Sequence, residues 1–334
     1  MLSLVVLIFV ALAFDFMNGF HDAANSIATI VGTRVLTPRQ AVLWAAFFNF
    51  VAAFMFGVAV ANTIGRGILT PGAADGPVIF ATLLAAFLWD YITWHYGLPS
   101  SSSHALIAGF AGAGLAKGGL EVVQFDGLWK VLKFAVISPL VGFVLAFLLM
   151  ILMLHLFQRV RPALVDRTFR GLQLLSAAAY SLGHGANDAQ KTMGVIAVLL
   201  FSYGYLGDTF YVPVWVILTC HAAIGLGTLF GGWRIVKTMG MRLTALQPIG
   251  GFCAEAAAAT MLFFSAQIFG APVSTTHTIS GAIVGVGATS RRSVVRWGIA
   301  RNVVAAWILT VPCTAALAAV IYWFVQFARR TLGA

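Results

Sequence analysis

Two short polar runs interrupt apolar segments that are long enough to cross a lipid bilayer. The first island is Gly19–Ser26, with the sequence GFHDAANS, and the second island is Gly185–Thr192, with the sequence GANDAQKT. A charged side chain at membrane depth costs about 2.5–3.5 kcal/mol on insertion scales, so carboxylates are rare there and usually serve a function. We therefore expect both islands to line one site inside a helical membrane protein.

The composition supports a chain embedded in a membrane. Hydrophobic residues make up 60% of the sequence and charged residues only 9%, whereas soluble domains carry about 25% charged residues. The apolar runs are continuous and lack the alternation typical of outer-membrane barrel strands. We predict an all-α polytopic membrane protein with roughly ten to twelve transmembrane segments, some of them broken or re-entrant.

The basic residues indicate how the chain is oriented. Most of them fall in four short loops between apolar runs, which accounts for the net charge of +10. This clustering is typical of the positive-inside pattern and not of a nucleic-acid-binding face. It predicts that both termini lie outside the cytoplasm. No basic residue precedes Arg34, so we expect the N-terminal segment to be the first span and not a removable signal peptide.

The second half of the sequence repeats the first. Each island is followed by a proline element, GLPSSSSH at residues 97–104 and GAPVSTTH at residues 270–277. With an odd number of spans in each half, the second copy would enter the membrane from the opposite face. We predict two inverted repeats, 1–157 and 172–334, joined by a basic cytoplasmic linker at 158–171.

The proline elements predict two helix starts inside the membrane. Proline ends the preceding helix, and serine and threonine are favoured N-cap residues for the next one. The positive dipole ends and free backbone N–H groups of two such helices would form an anion site without arginine. The residues expected at this site are Ser101, Ser102, Ser103, Ser274, Thr275 and Thr276. The alternative is that these hydroxyls only bond the preceding turn.

The islands add carboxylates and amides to the anion site. Their oxygen atoms, with backbone carbonyls exposed at helix breaks, suit Na⁺, and their carboxylates can carry a proton. The residues concerned are Asp22, Asn25, Asn187 and Asp188. A carboxylate also accepts from the P–OH group of hydrogen phosphate but repels a bare dianion such as sulfate, which has no proton to donate. Lys191 either pairs with Asp188, three residues before it, or contacts the anion directly.

Another apolar segment contains one further carboxylate, Glu255, among small residues. We expect it to bind a coupling cation or to carry a proton, as for Asp22 and Asp188. Histidines lie in or beside the motifs and could relay protons. They lack the spacing of metal ligands, and the three cysteines lack CxxC spacing, so no metal site is predicted.

The doubled island, the doubled proline element and GGWRIVKTMG at residues 231–240 resemble the inorganic phosphate transporter (PiT) family over nearly the whole chain. The resemblance implies a secondary transporter of inorganic phosphate that is driven by Na⁺ or H⁺. The family island commonly reads GANDxAN, and His21 and Lys191 depart from it here. These departures are similar to the bacterial low-affinity Pit branch, which implies proton coupling and a substrate that can be a neutral metal-phosphate complex.

We therefore predict a phosphate symporter of the bacterial inner membrane that works by alternating access, with one repeat rocking against the other. Its termini would be periplasmic, and it would need no cofactor besides the coupling ion, H⁺ or Na⁺. Its partners would be phosphate, with or without a divalent metal, and the lipid bilayer, and it could form a homodimer. The coupling cation is expected at Asp22, Asp188, Glu255, Asn25 and Asn187.

Three alternatives to phosphate symport stay open from the residues. One is a permease for sulfate or another oxyanion. Another is an intramembrane hydrolase that uses a serine of Ser101–Ser103 with His104, although adjacent residues rarely place a nucleophile and its base correctly. The third is a cation channel or a metal transporter, which would conduct without phosphate.

Overall fold

The computed structural model describes residues 2–70, 72–270, 272–290 and 294–332. Within these ranges the chain is helical, and β-type pairing is limited to two isolated bridges. The predicted all-α fold is confirmed. The helices in chain order are α1 (Leu2–Gly32), α2 (Pro38–Val51), α3 (Ala59–Gly67), α4 (Gly76–Tyr96), α5 (Ser102–Gly118), α6 (Phe125–Leu156), α7 (Pro162–Ser202), α8 (Val214–Phe230), α9 (Trp233–Lys237), α10 (Pro248–Gln267), α11 (Thr275–Ala288) and α12 (Trp297–Leu332).

Six helices in the described part of the chain are long and apolar enough to cross a membrane. They include α1, α4, α6, α10 and α12, and the remaining one extends α5 to Val122. A seventh span would be formed if α8 and the segment Trp233–Leu243, which meet at an angle of 61°, cross together. Helix α7 has 41 residues but is not in this set, because its island and its basic start make it less apolar. The predicted total of crossings stays a prediction.

The helices of the two halves follow the same order. Each half begins with an island helix, α1 or α7, and each ends with a long helix that contains a proline, Pro139 in α6 and Pro312 in α12. Helix α7 starts at Pro162, inside the predicted linker, so most of that linker is helical rather than a loop.

The last helix of each half packs on the proline-element helix of the other half. Helix α6 packs on α11, and α12 packs on α5. The contacts are close, because a Cβ added at Gly281 would lie 2.2 Å from the carbonyl oxygen of Pro139, and one at Gly112 would lie 2.0 Å from that of Ala315. Glycine at these positions lets the backbones of the two helices touch.

The two island helices run in opposite directions. Asp15 on α1 accepts a hydrogen bond from Thr192 on α7 at 2.9 Å. At the other end of α1, Thr33 donates to Gln173 on α7 at 2.9 Å. Contacts that advance along α1 therefore go back along α7, which is the relation expected of equivalent helices in inverted repeats.

The islands do not break their helices. Both α1 and α7 continue through them without interruption, so the prediction that backbone carbonyls are exposed there is wrong. The island glycines serve packing instead: a Cβ at Gly19 would lie 2.2 Å from the carbonyl oxygen of Ile224, and one at Gly185 would lie 2.5 Å from that of Asn49. The islands consequently offer side chains, and not backbone oxygens, to a ligand.

Candidate functional site

The two proline elements place two buried helix starts against each other. The N-cap hydroxyl of Ser101 accepts from the backbone N–H of His104 at 3.2 Å, and that of Ser274 accepts from His277 at 3.1 Å. The rings of His104 and His277 contact edge to face, with centroids 4.7 Å apart. The predicted helix starts are thus confirmed. Each cap satisfies one backbone donor, and other first-turn N–H groups have no partner within their own helix.

The first island reaches across to the helix start of the second half. The side-chain amide of Asn25 donates to the hydroxyls of Thr275 at 3.3 Å and Thr276 at 2.9 Å. Thr276 lies 3.4 Å from both carboxylate oxygens of Asp22. All four side chains are buried. The structure therefore brings these predicted residues of α1 and α11 together.

The second island holds a buried ion pair. The Lys191 ammonium donates to Asp188 Oδ1 at 2.5 Å, to the Ser103 hydroxyl and to the Val273 carbonyl at 3.2 Å. Thr275 donates to the other carboxylate oxygen of Asp188 at 3.1 Å. The ion pair that was one alternative for Lys191 is present, and direct contact of Lys191 with an anion stays a prediction. Three oxygen acceptors match the three N–H donors of the ammonium, which a fully buried charge requires.

His21 forms a second pair with a carboxylate. Its Nδ1 lies 2.6 Å from Asp22 Oδ1, and its Nε2 lies 3.0 Å from the hydroxyl of Thr93 on α4. The hydroxyl of Ser100, in the first proline element, donates to Thr93 at 2.9 Å. The nearest basic partner of the first island's aspartate is thus an imidazole, whereas that of the second island's aspartate is an ammonium.

The two island aspartates approach each other beside His184. One ligand atom each from Asp22, His184 and Asp188 lie within 4.8 Å of one another. His184 Nε2 is 3.2 Å from Asp188 Oδ2, and its Nδ1 is 3.2 Å from Asn49 Oδ1. Sequence spacing predicted no metal site, but two carboxylates and an imidazole from different helices make a cluster that can hold a cation.

Several buried polar atoms of the islands have no hydrogen-bond partner among the described residues. They are the Oδ1 of Asn25 and both side-chain amide atoms of Asn187. The hydroxyl of Ser102, at the start of α5, faces the buried carboxylate of Asp90 on α4. An unsatisfied buried polar group costs about 1–3 kcal/mol. Unpartnered atoms also occur elsewhere in the described helices. Those of the island asparagines lie beside the aspartates that contact α11, where a bound ligand can supply the missing hydrogen bonds.

Glu255 belongs to a separate polar cluster. It accepts from Thr29 at 2.5 Å, from Ser176 at 2.6 Å and from Gln173 at 3.3 Å. Thr29 lies two turns, or about 10 Å, beyond Asp22 along α1. No hydrogen bond joins Glu255 to either island aspartate in the described ranges. Its donors come from both island helices, so the cluster links α1, α7 and α10.

Sequence reasoning missed several hydroxyl groups around these carboxylates. Thr93, Thr29 and Ser176 belong to no motif, and each stands between two apolar neighbours in its helix. Tyr180, which donates to the Thr275 carbonyl at 3.2 Å, was missed for the same reason. The one available signal was position, because Ser176 and Tyr180 lie on α7 ahead of the second island.

Comparison with known proteins agrees with this arrangement. Residues 18–318 match the phosphate transporter family. The chain belongs to that family. It is 61% identical over 320 residues to a Rhizobium meliloti protein named "Probable low-affinity inorganic phosphate transporter", with 96% of each chain covered. A Bacillus subtilis protein of the same name is 43% identical over 324 residues, which cover 96% of this chain and 97% of that one.

A solved structure has the same fold as this phosphate transporter family member. It is named "The sodium-dependent phosphate transporter" and matches with a TM-score of 0.89 and 27% identity, over 98% of this chain and 100% of that one. The resemblance inferred from the motifs is confirmed. The chain is a membrane transporter and not an enzyme, which sets the hydrolase alternative aside.

Proposed function

We propose that this chain carries inorganic phosphate across the bacterial inner membrane together with a coupling ion, and that phosphate binds between the starts of α5 and α11. The observation that carries the proposal is that Asp22 and Asp188, one from each island, both meet threonines at the start of α11. The neighbouring island residues Asn25 and Asn187 add amide atoms that have no partner among the described residues. A ligand with several oxygens would supply their missing hydrogen bonds. The names of the bacterial relatives support phosphate as that ligand.

The site suits an anion that has a proton to donate. Backbone N–H groups and dipole ends of α5 and α11 attract the anion. Asp22 and Asp188 would accept from the P–OH group of hydrogen phosphate, whereas sulfate has no proton to offer at neutral pH. This difference favours phosphate over the sulfate permease alternative.

A proton is the coupling ion that the side chains suit best. The pairs His21–Asp22 and His184–Asp188 each place an imidazole within 3.2 Å of a carboxylate, and two such groups can pass a proton between them. Glu255 offers a further carboxylate, and its donors belong to both island helices. A proton on it would therefore alter the contact between α1 and α7.

A divalent metal carried together with phosphate also has a place in this proposal. Asp22, His184 and Asp188 offer oxygen and imidazole ligands within reach of one another. Such a metal is part of the substrate, since it would enter and leave with the phosphate. Because carboxylates and an imidazole suit several divalent ions, the cluster does not select one of them.

Alternating access through inverted repeats is the mechanism we propose for transport. The antiparallel course of α1 and α7 supports the inverted relation, because these helices hold equivalent places in the two halves. The phosphate site lies where they cross, so it can be reached from either side by moving the helices around it. Periplasmic termini and a homodimer stay predictions.

Uptake by the purified full-length chain in liposomes tests the proposal. We expect radioactive phosphate to accumulate when a pH gradient, acidic outside, is imposed, and to accumulate much less under a sodium gradient at equal pH on both sides. Excess unlabelled phosphate should abolish the signal and excess sulfate should not. Absence of uptake under either gradient would overturn the proposal, and strong competition by sulfate would favour the oxyanion permease.

A matched pair of variants tests the location of the phosphate site. Asn187→Ala removes buried amide atoms that have no partner in the described part of the chain. It should raise the phosphate concentration for half-maximal uptake about tenfold without lowering the melting temperature. Asn302→Ala makes the same change at an exposed position of α12 and should leave both values unchanged. Equal behaviour of the two variants would exclude Asn187 from the site.

A further inference from the structure

We infer that Lys191 holds its own ammonium group in a cavity whose oxygen ligands suit a monovalent metal cation, and that it thereby keeps sodium out of the second island. The inference deepens the proposed function, since it concerns which ion can drive transport. The cation site itself can be tested without any transport.

The ligands of the ammonium are those of a hard cation. They are a carboxylate oxygen of Asp188, the hydroxyl of Ser103 and the backbone carbonyl of Val273. They come from three places in the fold: α7, the start of α5 and the break before α11. Oxygen atoms of this kind bind Na⁺ or Ca²⁺ when no protein cation is present. The side chain of Lys191 is 2% exposed, so solvent contributes little.

The charge around the ammonium also demands a cation. Ligand atoms of Asp22 and Asp188 lie within 4.8 Å of each other, so two carboxylates face the same buried space. Removal of the lysine charge would leave Asp188 buried with only the His184 imidazole, 3.2 Å away, as a basic partner, which is unfavourable at membrane depth when two carboxylates share the space. A small cation from solution would restore the balance if the methylene chain were also removed.

The first island provides an internal comparison. Asn25 stands three residues after Asp22, as Lys191 stands three residues after Asp188. Its amide bonds two threonines of α11, and its Oδ1 has no partner among the described residues. Only one of two equivalent positions therefore contains a cation that belongs to the chain.

A tethered cation cannot serve as a coupling ion. The Lys191 ammonium is part of the helix and cannot leave on the other side of the membrane, so it neutralises Asp188 without using a gradient. A sodium ion at the same place could dissociate and do work. Lys191 is thus a specificity-determining residue that excludes sodium at this position.

Thermal unfolding of the purified full-length chain tests the inference, with phosphate absent throughout. Sodium chloride is exchanged for choline chloride at constant ionic strength for the wild type, Lys191→Ala and the charge-retaining control Lys191→Arg. We expect Na⁺ to raise the melting temperature of Lys191→Ala by about 2–4 °C in a saturable manner. The melting temperature of the wild type should be the same in both salts, and so should that of Lys191→Arg.

Three results would overturn the inference. The first is a folded Lys191→Ala that melts alike in sodium and choline. The second is an equal sodium effect on the wild type. The third is failure of both Lys191→Ala and Lys191→Asn to fold in either salt, because sodium should refill the site; recovery in sodium alone would support it. Loss of phosphate uptake by the wild type would overturn the proposed function but would not change these results.

Discussion

The two islands have the same backbone and different charges. Both are uninterrupted helix. Asp22 lies beside the start of α11, which belongs to the other repeat, and Asp188 lies beside the same helix start in its own repeat. Asp22 has an imidazole as its nearest cationic partner, whereas Asp188 has an ammonium. An imidazole gains and loses its charge near neutral pH, and an ammonium keeps its charge. The nearest partner of Asp22 can thus change its charge, and we call His21–Asp22 the adjustable pair. The nearest partner of Asp188 keeps its charge, and we call Lys191–Asp188 the fixed pair.

Substitution in the fixed pair, Lys191–Asp188, should have the largest effect on uptake and stability. Asp188→Asn leaves the Lys191 ammonium buried without a carboxylate, which costs about 3–5 kcal/mol. We expect phosphate uptake to fall at least about 100-fold and the melting temperature to drop. The measurements are liposome uptake per folded protein and thermal unfolding.

Two companion variants sharpen this expectation. Asp166→Asn breaks an exposed pair with Arg170 and should change neither value, since exposed pairs contribute about 0–1 kcal/mol. The double variant Asp188→Asn with Lys191→Asn should recover the melting temperature but not uptake. A stable and active Asp188→Asn variant would show that the Lys191–Asp188 pair is not required for uptake or stability.

The adjustable pair, His21–Asp22, should tolerate substitution better. In Asp22→Asn the neighbouring His21 can become neutral, so no charge is left buried without a partner. We expect uptake to fall about tenfold and the melting temperature to change by less than in Asp188→Asn. The same two assays decide this, and equal losses at both aspartates would show that the islands are functionally alike.

The imidazole of the first island should contribute to the pH response. His21→Gln keeps hydrogen-bonding groups near Asp22 and Thr93 but removes the group that changes charge. We expect maximal uptake to fall only a few-fold, while its dependence on external pH between about 5 and 8 flattens. Initial uptake rates measured across this range provide the test. His95→Gln, on the exposed end of α4, is the control and should retain the full dependence.

Substitution of the N-cap serines should have the smallest effect, and this effect should be equal in the two halves of the chain. Ser101 and Ser274 each accept from a backbone N–H at similar distances, and loss of an N-cap hydroxyl costs about 1 kcal/mol. Ser101→Ala and Ser274→Ala should each lower the melting temperature by about 2–4 °C. A lower melting temperature in only one of the two variants would show that the two helix starts are not equivalent.

Motifs that depend on local backbone chemistry were predictable from the sequence. The proline elements fixed both helix starts, because proline and an N-cap serine act within a few residues of themselves. The islands were found from their charge, but their supposed helix breaks were wrong. Glycine at Gly19 and Gly185 accommodates a neighbouring helix, and nothing local distinguishes that use from a break.

Contacts between distant helices were not predictable. The Thr93 hydroxyl reaches His21 across a long stretch of chain, and a lone threonine in an apolar helix has no pattern. Glu255 was grouped with the island aspartates because charge type alone was visible. Its separation from them follows from the packing of α10 along a different part of α1 and α7.

The exchanged packing of the end helices limits what can move during transport. Helix α11 is seated on α6 of the first half and α5 on α12 of the second, with backbones in direct contact at Gly281 and Gly112. A motion that pulled the two halves of the chain apart would have to break both contacts. In the proposed alternating access, each moving body would therefore contain helices of both repeats, rather than one whole repeat as the sequence predicted. Cutting the chain between the halves should leave the two pieces associated.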